Sequence, residues 1–103
     1  MKITTNCGKT VTLEPKADLS FLDLSGLDLS GVDLRGANLS FASLEYANLS
    51  FASLEYANLY NAKLQNSTLQ NANLEDVNFE FANLYNTDLE GAKFNDKYKL
   101  TKI

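Results

Sequence analysis

The side chains with the clearest chemical potential are carboxylates, and several stand close together: Glu75 beside Asp76, and Asp88 two places before Glu90. Paired carboxylates can divide the roles of general acid and general base, and Asp28 and Asp88, with Glu90, would be candidates to hold a hard cation, but Asn48 and Thr68 lie between them at intervals of twenty residues and separate the carboxylates. Neither chemistry finds its usual companions. The chain has no histidine, a single cysteine (Cys7) and no glycine-rich phosphate loop, so it lacks an imidazole base, an internal disulfide partner and a cradle for phosphate. The sequence predicts a protein with no catalytic residues, no metal, no cofactor and no small-molecule substrate.

A second set is aromatic: Phe21, Phe41, Phe51, Phe81, Tyr46, Tyr56, Tyr60 and Tyr85 stand among polar residues. Aromatic rings can stack on the bases of single-stranded nucleic acid, but such platforms come with basic residues, and these rings have none beside them. Two readings remain open. The rings form a contact surface for a protein, or another segment of the chain packs over them.

Whatever these side chains do depends on the elements that place them, and a period of five residues defines those elements. Leu or Phe recurs at every fifth position from Leu19 to Phe94, sixteen times without a break. Two places earlier sits a smaller or apolar residue, usually alanine, as in Ala37, Ala42, Ala47, Ala52 and Ala57. Five residues advance a helix by about 500°, roughly 140° beyond a whole turn, and an odd step reverses the face of a strand. A pair at spacing two instead fits a short extended segment that then turns a corner. Gly26, Gly31, Gly36 and Gly91 recur two places after the central residue, where a type II turn needs a positive φ. Elsewhere this corner carries Phe, Tyr, Asn or Asp, which predicts a second turn geometry there. Four corners close a square of twenty residues, so sixteen repeats stack as four coils in a rod of roughly 19 Å at about 4.8 Å per coil.

The motif in Ala37-Asn38-Leu39-Ser40-Phe41 and Ala72-Asn73-Leu74-Glu75-Asp76 resembles that of the pentapeptide repeat family. The resemblance covers residues 17–96 and implies an all-β fold, a right-handed quadrilateral parallel β-helix. Family members include proteins that mimic duplex DNA toward gyrase, regulators of cyanobacterial differentiation and bacterial effectors. The chain departs from the gyrase-directed members in being short and in lacking an evident C-terminal helix for dimerisation.

The flanks read as caps for the unpaired backbone at the two ends of such a coil. Residues 1–16 contain two alternating runs around Asn6-Cys7-Gly8, the pattern of a β-hairpin, and residues 97–103 place Tyr98, Leu100 and Ile103 between lysines as a strand or tail. No apolar run reaches the roughly 18 residues of a membrane span, and the first residues lack the apolar centre of a secretory leader, which predicts a cytoplasmic protein without membrane contact.

Stacking the chain in steps of twenty assigns the surface. Residues 17–96 carry twelve acids against three bases. Their richest face holds Asp33, Glu55, Glu75, Asp76 and Asp96, relieved by Arg35 and Lys93. Duplex DNA carries one charge per about 1.7 Å, so a mimic of this length needs roughly eleven on one surface, more than this face supplies. Another column, Asp18, Asn38, Asn58 and Asn78, predicts side-chain hydrogen bonds between coils. Phe21, Phe41 and Phe81 share one corner, with Asn61 and its neighbour Tyr60 between the last two, and form the candidate interaction edge. The sequence thus favours a non-enzymatic binding or scaffold module that meets a protein, or a second copy of itself, through this edge or a rod end, without binding nucleic acid directly. The alternative is a DNA-mimicking modulator of a type II topoisomerase.

Overall fold

Between residues 37 and 76, in a repeat with Asn two places before its fourth residue, every backbone amide has an assigned partner, and that accounting explains the architecture. The structure, a computed structural model, describes residues 1–95. In the repeat centred on Leu49, the Leu49 amide donates to the Thr68 carbonyl (2.8 Å) and the Phe51 amide to the Gln70 carbonyl (2.8 Å), both in the next coil. The Asn48 amide donates back to Leu27 in the coil before (2.9 Å). The Ala47 amide closes the preceding corner on Leu44 (3.1 Å), and the Ser50 amide donates to the Asn48 side chain (3.0 Å). In this repeat no amide is left to desolvate without compensation.

Parallel bridges join residues twenty apart, Asp18 to Asn38 to Asn58 to Asn78 on one face and Asp33 to Ser53 to Asn73 to Lys93 on another. The chain is a right-handed quadrilateral β-helix. Among the described residues there is no helix.

All sixteen corners are alike. Every fifth residue from Lys16 to Gly91 has a positive φ, at twelve non-glycine positions as well as at Gly26, Gly31, Gly36 and Gly91. The second turn geometry expected where glycine is missing does not occur. Each corner has the left-handed residue third in a four-residue turn, closed where the next alanine-position amide reaches back to Leu, as Ala52 does to Leu49 (3.1 Å). An L-residue pays about 1–2 kcal/mol for this conformation, and the inter-coil bond from the same residue's amide holds it there.

The interior is a leucine column on each side of the square. The twelve leucines at every fifth position from Leu19 to Leu74 are fully buried, with alanines between them from Ala37 onward. Two polar residues take the alanine place in one column, and both are satisfied: the Ser67 and Thr87 hydroxyls each donate to the Leu64 carbonyl at 2.7 Å. At the first coil, β1 (Lys2–Thr4) and β2 (Thr10–Thr12) pair antiparallel and pack Ile3 and Val11 against the core. In the last coil Phe79, Leu84, Leu89 and Phe94 are only partly buried. The expected tail at 97–103 lies outside the described residues.

Residues Ala37–Tyr46 and Ala47–Tyr56 are identical, so removing Ala47–Tyr56 deletes two whole repeats and keeps leucine in register. That deletion is expected to melt cooperatively as a shorter rod. A seven-residue deletion from Ala47 puts polar residues into the leucine columns and should leave the chain unfolded by circular dichroism; equal melting of the two would contradict the register.

Candidate protein-interaction surface

The corner that ends one face carries Phe21, Phe41, Asn61 and Phe81 in successive coils. Phe21 and Phe41 stack with centroids 4.9 Å apart and planes 4° from parallel. Asn61 interrupts the aromatic run, but the adjacent Tyr60 turns its ring into the gap. It meets Phe41 edge to face at 5.7 Å and 61°, and Phe81 at 5.6 Å and 80°. Its backbone is fixed for this, because the Tyr60 amide donates to Asn58 (3.0 Å) and its carbonyl accepts from Phe41 (2.9 Å). All four residues nominated from the sequence therefore form one continuous column, each contact contributing about 0.5–1.5 kcal/mol beyond area burial.

The hairpin does not cover this column. Phe21 and Phe81 are 73% and 71% exposed, while Phe41, between two rings, is 43% exposed. The hairpin's apolar residues close the end of the core, and its turn is tied elsewhere, Asn6 Nδ2 donating to the Ser25 carbonyl at 2.9 Å. Phe21 and Phe41 turn their faces toward one another, whereas both contacts of Tyr60 are edge to face, so the column presents ring faces and edges that can pack against an apolar protein surface.

The acidic face is less free than its residue count implies. Arg35 binds Asp33 through two parallel bonds, Nε to Oδ1 at 2.8 Å and Nη2 to Oδ2 at 2.7 Å, and so holds the Asp33 carboxyl below its ordinary range. Lys93 Nζ lies 3.7 Å from Glu75 Oε1, and Asp76 accepts from Asn95 Nδ2 at 2.7 Å. Glu55 Oε1 is buried without a hydrogen-bond partner among the described residues. Asp96, the fifth acid of this face, lies outside them.

The polar column also differs from expectation. Asn58 and Asn78 meet between coils at 3.4 Å, but the other contacts run within a repeat: Asn38 Oδ1 accepts from the Ser40 amide (3.0 Å) and hydroxyl (2.7 Å). Asx side chains that bond the amide two residues on satisfy the one donor that the inter-coil ladder leaves over. In the first coil aspartates do this work. Asp18, Asp23 and Asp28 accept the hydroxyls of Ser20, Ser25 and Ser30 at 2.7, 2.6 and 2.7 Å, and the amides of the same serines.

Three more rings, Tyr46, Phe51 and Tyr56, stand at the other corners of the second coil, directly after Gly26, Gly31 and Gly36 in their columns. The types of these rings alone do not reveal the glycines beside them. Aligning corners at an offset of twenty is the signal that finds them.

The family model for pentapeptide repeats matches in eight copies, over residues 16–50, 33–71 and 57–96. The crystal structure of a pentapeptide repeat protein from the cyanobacterium Cyanothece 51142 aligns with a TM-score of 0.55 at 36% identity, covering 87% of this chain and 65% of that one. One from Nostoc Pcc 7120 aligns with a TM-score of 0.50 at 28% identity, covering 78% of this chain and 86% of that one. The chain thus spans about two thirds of the length of the Cyanothece protein. No curated protein matches the sequence.

The first-coil aspartates make stability depend on pH. Serine hydroxyls, and then the serine amides, lower the carboxyl pKa of Asp18, Asp23 and Asp28 from the ordinary value of 3.8. A depressed folded-state pKa gives stabilisation that is complete above the unfolded value and disappears as pH falls through the folded one. Replacing all three with Asn preserves the turn, as Asn38 and Asn48 show, and should flatten the fall in melting temperature below about pH 4. An unchanged slope would show that these bonds do not govern the acid limb.

Proposed function

The chain belongs to the pentapeptide repeat family, and on that premise we propose that it is a non-enzymatic protein-binding or scaffold module whose contact surface is the Phe21–Phe41–Tyr60–Phe81 column. The observation that carries this reading is the column's continuity: four rings touch in series, and those at its two ends remain exposed. A contiguous apolar strip exposed to water costs solubility, and its ordered geometry suits a complementary protein surface.

The alternative, a DNA mimic acting on a type II topoisomerase, needs a line of unscreened charge. On the acidic face Asp33 is bound by Arg35 and Glu75 lies beside Lys93, which leaves a short, interrupted negative surface. This arrangement supports the binding-module reading over the mimic.

Two measurements test the choice. Replacing Phe41 and Phe81 with Ser should abolish capture of the partner from native extract, or self-association in sedimentation, while the fold persists by circular dichroism and melting falls only by the loss of the three ring contacts. Lost stability in a protein that is monomeric throughout would reduce the column to a structural feature. In a gyrase supercoiling assay the protein is expected neither to inhibit nor to protect the enzyme at micromolar concentration. Salt-sensitive inhibition that Glu55→Gln and Glu75→Gln remove would establish the mimic instead.

A further inference from the structure

The aromatic column stands on a corner of the square, so it is a ridge one ring wide, and its occupant must supply a groove. Period, shape and charge decide which occupant does. Successive ring centroids from Phe21 through Phe41 and Tyr60 to Phe81 lie 4.9, 5.7 and 5.6 Å apart. An α-helix repeats a face every turn, about 5.4 Å, and carries grooves between its i±4 rows of side chains. A strand repeats a face every second residue, about 6.7 Å. Laid along four rings, a helix stays in step to within about 2 Å, whereas a strand slips by about 4 Å or more. A second copy of the rod matches the period but brings the same ridge and the same charges.

Those charges are mostly negative. The two faces that meet at this corner present Asp18 and Glu80 on one side and Asp23, Glu45 and Lys63 on the other. Lys9 of the hairpin acts on Asp18. Four acids therefore stand against two bases around the column. An occupant with lysine or arginine beside its apolar stripe complements this setting, and an acidic one is repelled by it.

We propose that the Phe21–Phe41–Tyr60–Phe81 column takes a basic amphipathic α-helix of a partner protein, laid along the rod so that each turn sets one apolar side chain against a ring. The proposal rests on the reading of this column as the contact surface and names its occupant. About eleven residues of helix, three turns, cover the four rings, with apolar residues at the spacing i, i+4, i+7 and i+11. Ring contact supplies the affinity, and the flanking carboxylates set the preference for a basic helix.

The test is an NMR titration of the intact protein with a helical peptide of alanine and lysine that carries leucine at i, i+4, i+7 and i+11. One comparison peptide has the same residues rearranged so that the leucines fall on alternate positions, and a second has glutamate for lysine. The basic helical peptide is expected to give saturable shifts at the Tyr60 ring and to bind about tenfold tighter than either comparison. Phe41→Ser with Phe81→Ser should abolish the shifts. If that variant does not fold, Phe21→Ser, at the exposed end of the column, should weaken binding while the contacts of Tyr60 remain. Glu55→Gln with Glu75→Gln, on another face, should change nothing. Column-dependent binding of the alternating peptide as tight as that of the helical one would overturn the helix and leave the column as a contact surface. A dimer in sedimentation that the basic peptide does not displace would assign the column to a second copy instead. Equal binding of the acidic helix, or shifts that persist without the rings, would also overturn the proposal.

Discussion

At every fifth residue the chain turns a corner through a left-handed residue, and the same residue's amide is, in most coils, hydrogen-bonded to the coil that follows. This joint couples local strain to long-range order. For a phenylalanine or tyrosine the conformation costs about 1–2 kcal/mol, which a lone turn would not sustain. Here, from Leu39 to Leu74, the leucine three residues after a corner fills a buried column, and the residue before that leucine bonds to the preceding coil, so the turn is fixed from both sides. The corners then become rigid posts, and side chains on them stand in columns at the spacing of the coils.

Because the posts are rigid, function belongs to columns more than to repeats. The duplicated segments 37–46 and 47–56 show this directly, since ten residues are half a coil and identical sequences face opposite sides of the rod. Phe41 lies between Phe21 and Tyr60, whereas Phe51, the same residue in the same local sequence, follows Gly31 and is 67% exposed. Tyr46 and Tyr56 likewise differ in what lies beside them, and only the Tyr56 corner has Pro15 and Lys16 for walls. A repeated motif thus yields two distinct surfaces, with the difference supplied by residues twenty positions away.

The sequence displayed most of this because burial and stacking act on the same period. The unbroken leucine series gave the coil, and the twenty-residue offset brought Phe21, Phe41, Tyr60 and Phe81 to one edge. What it concealed were outcomes of competition between neighbours. Phe and Tyr rarely adopt a positive φ, so their presence at corners read as a different turn, when the inter-coil bond was strong enough to impose the common one. The column of Asp18, Asn38 and Asn58 read as a ladder between coils because its members stack, yet the amide two residues on is nearer and otherwise unpaired. The hairpin was legible as a strand pair, but its docking was not, since that depends on the open end of the core drawing Ile3 and Val11 away from the aromatic edge.

Amide hydrogen exchange on the intact protein tests most directly whether this joint governs the molecule. From Leu19 to Leu74 the central and corner amides, such as Leu49 and Phe51, donate to main-chain carbonyls of the next coil, while the amide between them, as at Ser50, donates only to a side chain two residues back. Protection is therefore expected to rise and fall with a period of five, with minima at the residue after each central leucine, Ser20, Ser25, Ser30, Ser40 and Ser50 among them, and maxima at the leucines and corners flanking them. Protection in continuous blocks, without minima at those serines, would contradict the account.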